Sequence, residues 1–227
     1  VNLVGSFPGS SNSIEVPALA RAVLKVKVDG ITPLLMHAWP EKARNQIRVK
    51  VKGEGTGGGR ENRNPEQEVL ASTYWYPQDN GDSGYDLGKY GLPAAAFKQA
   101  AVGACRDLKM KMTEARGRFH VIGKSDPITF LDLVRVEGEP LMHEAMVRVG
   151  MGADIRWRPM FPQWSAHLDI WFNTEAINPM EIANMLDNAG FSVGVGEWRP
   201  QKNGSNGMFR VDYDSLDVVA DPVTVGA

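Results

Sequence analysis

Cysteine is almost absent from this 227-residue chain: Cys105 stands alone, so no intrachain disulfide can form. Histidine is scarce as well. His37, His120, His143 and His167 are scattered, and no two sit at metal-ligand spacing, which argues against a Cys/His zinc site. No run approaches the ~18 uninterrupted apolar residues of a membrane span. Residues 1–13 have neither a basic n-region nor an apolar h-region, so no secretory signal is expected. Neither sign of charge dominates: 25 Lys and Arg against 27 Asp and Glu leave a formal net charge of -2. Any charged partner must therefore be read from local patches instead of the total. What is present, 43% hydrophobic and 23% charged residues, excludes a chain disordered throughout, a collagen-like repeat and a coiled coil.

Residues 1–17 read as a flexible arm, because Gly5-Ser6-Phe7-Pro8-Gly9-Ser10-Ser11-Asn12-Ser13 cannot bury enough surface to offset ordering entropy. Residues 18–227 read as one domain. Val23, Leu24, Val26 and Val28 interleave with Lys25 and Lys27, which is strand periodicity. Residues 40–91 read as a long insertion, Gly-rich at residues 53–59, with a helix start at Asn64-Pro65 and a short aromatic strand at residues 73–76. Residues 92–108 predict a helix with Phe97, Ala100, Ala101, Ala104 and Leu108 on one face. Strands are expected at 118–122, 128–136, 145–149 and 165–172. A second helix begins at Asn178, with Pro179 at its first position and Glu181 completing a capping box. A glycine loop, a short strand at 208–211 and an acidic tail at 212–227 follow. This order predicts an α+β fold: a ferredoxin-like or RRM-like βαββαβ core, an antiparallel sheet with both helices on one face, and the insertion before the first helix.

Two zones concentrate positive charge. In the insertion, Lys42, Arg44, Arg48, Lys50, Lys52, Arg60 and Arg63 outnumber Glu41, Glu54 and Glu61. Between residues 98 and 124, Lys98, Arg106, Lys109, Lys111, Arg116, Arg118 and Lys124 face only Asp107 and Glu114. A flexible basic loop can clamp a phosphate backbone, or it can be a solvated surface. Arg156-Trp157-Arg158-Pro159 and Trp198-Arg199-Pro200 can stack bases and neutralise phosphates, or form aromatic corners with snorkelling arginines. In the glycine loop, Gly194 and Gly196 would let backbone N–H groups approach phosphates, with Arg199 and Lys202 supplying charge. The plain alternative is a helix C-cap followed by a turn. Gly194-x-Gly196 follows a helix and lacks a third glycine, which excludes a dinucleotide site, and no cofactor is expected. His37 after an apolar run reads as a core-edge residue, and Asp29-Gly30 as a turn.

Two segments resemble the RAMP superfamily, the RRM-like proteins of CRISPR effector complexes, and in particular its backbone-subunit branch. One is the helix start Tyr90-Gly91-Leu92-Pro93-Ala94-Ala95-Ala96-Phe97-Lys98-Gln99-Ala100. The other is Val193-Gly194-Val195-Gly196, a spacer with Arg199 and Lys202, then Gly204. The spacer is longer than that family's, and Gln99 stands where the family has glycine. The sequence also looks like bacteriophage proteins of unassigned role. The resemblance implies nucleic-acid binding and oligomerisation. The expectation is a non-enzymatic protein that oligomerises, helically or as a filament, along single-stranded RNA or DNA in the cytoplasm of a bacterial cell or phage-infected host. Its expected contacts are Arg44, Arg48, Lys50, Lys52, Arg60, Lys98, Arg106, Arg156, Trp157, Gly194, Gly196, Trp198, Arg199 and Lys202. The alternative is a phage assembly subunit joined through its arm and insertion without nucleic acid. RNA cleavage through His37 or His120 is a minor third reading.

Overall fold

The computed structural model describes residues 18–38, 63–77, 85–150 and 152–220. Among these residues the fold is α+β, with an open, mainly antiparallel sheet and four helices. In chain order the elements are β1 (Arg21–Gly30), β2 (Leu34–Leu35), α1 (Pro65–Ala71), β3 (Trp75–Pro77), β4 (Tyr85–Pro93), α2 (Ala94–Ala104), α3 (Met112–Arg118), β5 (Phe119–Ile122), β6 (Lys124–Ser125), β7 (Asp132–Glu137), β8 (Leu141–Val149), β9 (Gly152–Phe161), β10 (Ser165–Asn173), α4 (Pro179–Ser192) and β11 (Phe209–Ala220). The large sheet runs β11-β1-β10-β7-β4-β3, with β5 paired to β10 and β6 to β7. A smaller sheet runs β2-β9-β8.

Alternation in β1 and β10 builds the core. Their register sets Leu24 opposite Ile170, Val26 opposite Leu168 and Val28 opposite Ala166, all buried. This face packs against Phe97, Ala100, Ala101 and Ala104 of α2 and Ile182, Met185, Leu186 and Ala189 of α4. Full burial of a side chain such as Phe97 contributes about 2–3 kcal/mol, and its ring meets Phe209 edge-on at 5.7 Å. The capping box at α4 is formed: Asn178 accepts from the Glu181 N–H, and Glu181 accepts from the Asn178 N–H. Asn64 caps α1 by accepting from the Glu66 and Gln67 N–H groups, without a reciprocal side-chain bond.

The opposite face of β1 and β10 carries both signs of charge. Lys25 lies between Asp169 on β10 and Asp217 on β11, and Lys27 between His167 and Asp212. Lys27 Nζ sits 2.9 Å from Asp29 Oδ1. This face is a charge ladder of both signs.

Three elements depart from the sequence reading. Residues 212–220, expected in an acidic tail, belong to β11, because Asp212 and Asp217 flank the β1 lysines across an edge strand that tolerates charge. Residues 85–91, expected in the insertion, are in β4, which pairs with β7 inside the large sheet. The Arg-Trp segment at 156–159 lies in β9, a long hairpin arm with β8.

Candidate nucleic-acid interface

The glycine loop is closed on its own chain. At the end of α4 the Gly194 N–H donates to Ala189 O, and the Val195 N–H donates to Gly207 O at 2.9 Å. The Glu197 N–H donates to Leu35 O, also at 2.9 Å. An added Cβ on Gly196 would lie 2.6 Å from Leu35 O, so glycine here permits close backbone packing on β2. Donors used in this way do not cradle a phosphate. Arg199 folds back as well: its Nη1 donates to Gly196 O at 2.9 Å, and Nε and Nη2 donate to Gln201 Oε1. Of the loop's expected contact residues, Trp198 and Lys202 are exposed. Trp198 is 51% exposed and held at φ 53°.

The hairpin residues are engaged in a local network. Arg156 Nε lies 3.4 Å from Asp154 Oδ2. Trp157 Nε1 donates to Glu144 Oε2 at 2.7 Å. Arg63 spans the Trp157 ring at 5.2 Å and pairs with Glu68 and Asp154. These hydrogen bonds, that to Glu68 foremost, hold the Arg63 guanidinium well above its ordinary pKa. Arg156 and Trp157 therefore stabilise the arm against α1. Arg44, Arg48, Lys50, Lys52 and Arg60 lie outside the described residues.

The second positive zone stands clear. The C-terminal end of α2, α3 and β5 form one margin of the fold, where Lys111 and Arg118 share Glu114 at 3.3 and 3.0 Å. Arg106, Lys109 and Arg116 are exposed, with no acidic partner at ion-pair distance among the described residues. Lys98 Nζ lies 2.8 Å from His120 Nδ1. His120 stands cross-strand from Trp171 on the face away from the helices.

Burial pushes the Lys98 ammonium below its ordinary pKa, and burial followed by the Lys98 charge pushes His120 below 6.5. Replacing Lys98 by Met should raise the His120 pKa without restoring 6.5, since the larger cause, burial, remains. A proton NMR titration of the His120 ring reads this directly. An unmoved pKa removes Lys98 from its environment.

Sequence reasoning missed a second constellation. Glu197 bridges His37 Nδ1 at 3.5 Å and Arg158 Nη1 at 3.8 Å. His37 holds the Glu197 carboxyl below its ordinary range, with Arg158 assisting. Burial lowers the Arg158 pKa. The sequence pattern places Arg158 in a stacking motif and His37 at a core edge or, in the minor reading, in RNA cleavage. Nothing local in the sequence joins them to Glu197. The β2–β9 pairing and the Glu197-to-Leu35 hydrogen bond bring the three together.

No protein-family model and no curated protein matches this sequence. Among the described residues, no helix is long and apolar enough to cross a membrane, and no group of three or more His, Cys, Asp or Glu could hold a metal ion. The chemistry of this chain's own surfaces decides between readings.

Proposed function

We propose that this chain is a non-enzymatic protein that binds single-stranded nucleic acid through the α2–α3–β5 margin and self-associates along the strand. The observation that carries this reading is the set Arg106, Lys109 and Arg116, exposed on this margin with no acidic partner at ion-pair distance among the described residues. Cations without acidic partners can neutralise phosphates at no cost in broken ion pairs. For a strand that passes over the β5 edge, the Trp171 indole, cross-strand from His120, offers a stacking face that every base can use. The acidic residues Asp212, Asp214 and Asp217 lie on β11, two strands beyond β10 on the opposite side from β5. Opposite signs at opposite margins suit a head-to-tail row of copies. In this reading the core is ferredoxin-like. The chain order β1-α2-β5-β10-α4-β11 and the strand order β11-β1-β10-β5 support it, with β3, β4 and β6–β9 as additions.

Fluorescence anisotropy with a single-stranded oligonucleotide tests the proposal. Three to four phosphate contacts predict a log–log salt slope of about -2 to -3, a loss of roughly 20- to 50-fold in affinity between 50 and 200 mM salt. No binding at low salt refutes it.

The assembly-subunit reading keeps one supporting observation: Met142, Met146 and Ile155 of the hairpin arm are exposed, at 57%, 78% and 38%. Size-exclusion chromatography before and after nuclease treatment separates the two. Oligomers that survive nuclease and carry no excess absorbance at 260 nm favour assembly without nucleic acid.

A further inference from the structure

Arg158 is 5% exposed and sits directly across from His143 in the β8–β9 ladder, so the two side chains share a face. Among the described residues, Arg158 Nε and Nη1 and His143 Nδ1 are buried and lack any hydrogen-bond partner. Among the described residues, the carboxylate at ion-pair distance is Glu197, 3.8 Å from Nη1, close enough for charge attraction and too far for a hydrogen bond. Its other oxygen is turned to His37. A buried guanidinium without hydrogen bonds is costly, so this arrangement is short of an acceptor. The charged groups facing it are Glu197 from the glycine loop, Arg156 from its own strand, and His37 from the segment after β2. Glu197 covers the site yet its side chain is 43% exposed, against 7% for Arg158. The carboxylate can swing outward; the guanidinium cannot.

We propose that Arg158 and His143, with His37 at the mouth, form an oxyanion site that takes a phosphate group, and that Glu197 occupies it in the free protein as a displaceable competitor. Phosphate fits the need: each of its oxygens accepts several hydrogen bonds, and its charge compensates the buried guanidinium as a neutral ligand cannot. The group can arrive as free phosphate or as one phosphodiester of a strand. The site is separate from the α2–α3–β5 margin, and its test is read at different residues.

The experiment titrates inorganic phosphate into the full chain while following the side-chain NMR signals of Arg158, His143 and His37. Saturable, joint perturbation is expected. Glu197→Gln removes the competing charge and should tighten phosphate binding by at least about fivefold, the value of one charge–charge contact at about 4 Å in water and a lower bound for a partly buried site. Arg158→Met should abolish it while leaving the fold intact, because a similar-sized apolar residue commonly replaces a buried charge without loss. A single-stranded oligonucleotide that displaces phosphate from these signals makes the strand its source. Phosphate that still binds while a strand is held elsewhere makes it free phosphate. No saturable change in either the unaltered protein or Glu197→Gln overturns the proposal, and so does binding that Arg158→Met leaves untouched. Neither result bears on Arg106, Lys109 and Arg116.

Discussion

Changing Arg106, Lys109 and Arg116 together to glutamate should weaken single-strand binding by at least about 100-fold at 0.1 M salt. Each lost phosphate contact on a single strand removes about 0.7 from the log–log salt slope, so the variant's slope should flatten by about 2. Reversal adds repulsion to the loss of attraction, which makes 100-fold a lower bound. The fold should be unaffected, since all three side chains are exposed and none has an acidic partner to lose among the described residues. The comparison variant is Arg199→Ala with Lys202→Ala. Arg199 is already tied to Gly196 O and Gln201, so that pair should move the slope by less than about 1. If the glycine-loop pair has the larger effect, the interface lies at the loop and the margin reading fails. Measured over a salt series, the two variants locate the strand without any structure of the complex.

What could be read in the sequence was what local chemistry dictates. Asn178-Pro179-x-Glu181 announces a helix start because both capping bonds lie within four residues, and both are present. The alternation of Leu24, Val26 and Val28 against Lys25 and Lys27 is likewise local, and it gives a strand with one buried face. β9 escaped this reasoning. Arg156, Trp157, Arg158 and Pro159 break the alternation, and beyond its hairpin partner β8 the strand is held by β2 and α1, both distant in sequence. β11 escaped for a related reason: an edge strand can carry Asp212, Asp214 and Asp217 toward solvent, which read alone resemble a tail. The glycine loop shows a subtler limit. Its glycines were recognised as conformationally required, but a required glycine serves close backbone packing as readily as phosphate approach. Only the partners of its N–H groups separate the two, and here they are Ala189, Leu35 and Gly207.

That packing makes Gly207 the position where a single methyl group should do the most damage. Its φ is +66°, and an added Cβ would lie 1.7 Å from Val195 O and 2.8 Å from Val195 C. The same two residues are joined by the Val195-to-Gly207 hydrogen bond at 2.9 Å, while the Gly207 N–H donates to Pro33 O at 2.8 Å. Three chain segments therefore meet here: the loop after α4, the turn before β11 and the approach to β2. Gly207→Ala must accept a left-handed conformation, at about 1–2 kcal/mol. It must also displace a buried carbonyl and disturb two hydrogen bonds, at about 1 kcal/mol each. Val195, 1% exposed, has no room to retreat. The total, about 3–4 kcal/mol, corresponds to a fall in Tm of roughly 10 °C for a chain of this size. Gly150, in the β8–β9 turn, provides the control. It has φ +61° and nothing within 4 Å of an added Cβ, so Gly150→Ala should cost only the conformational part. Thermal unfolding of the two variants side by side isolates the collision from the backbone strain. Equal losses would mean that Gly207 is not packed against Val195, and the closure of the glycine loop on the turn before β11 would fall with it.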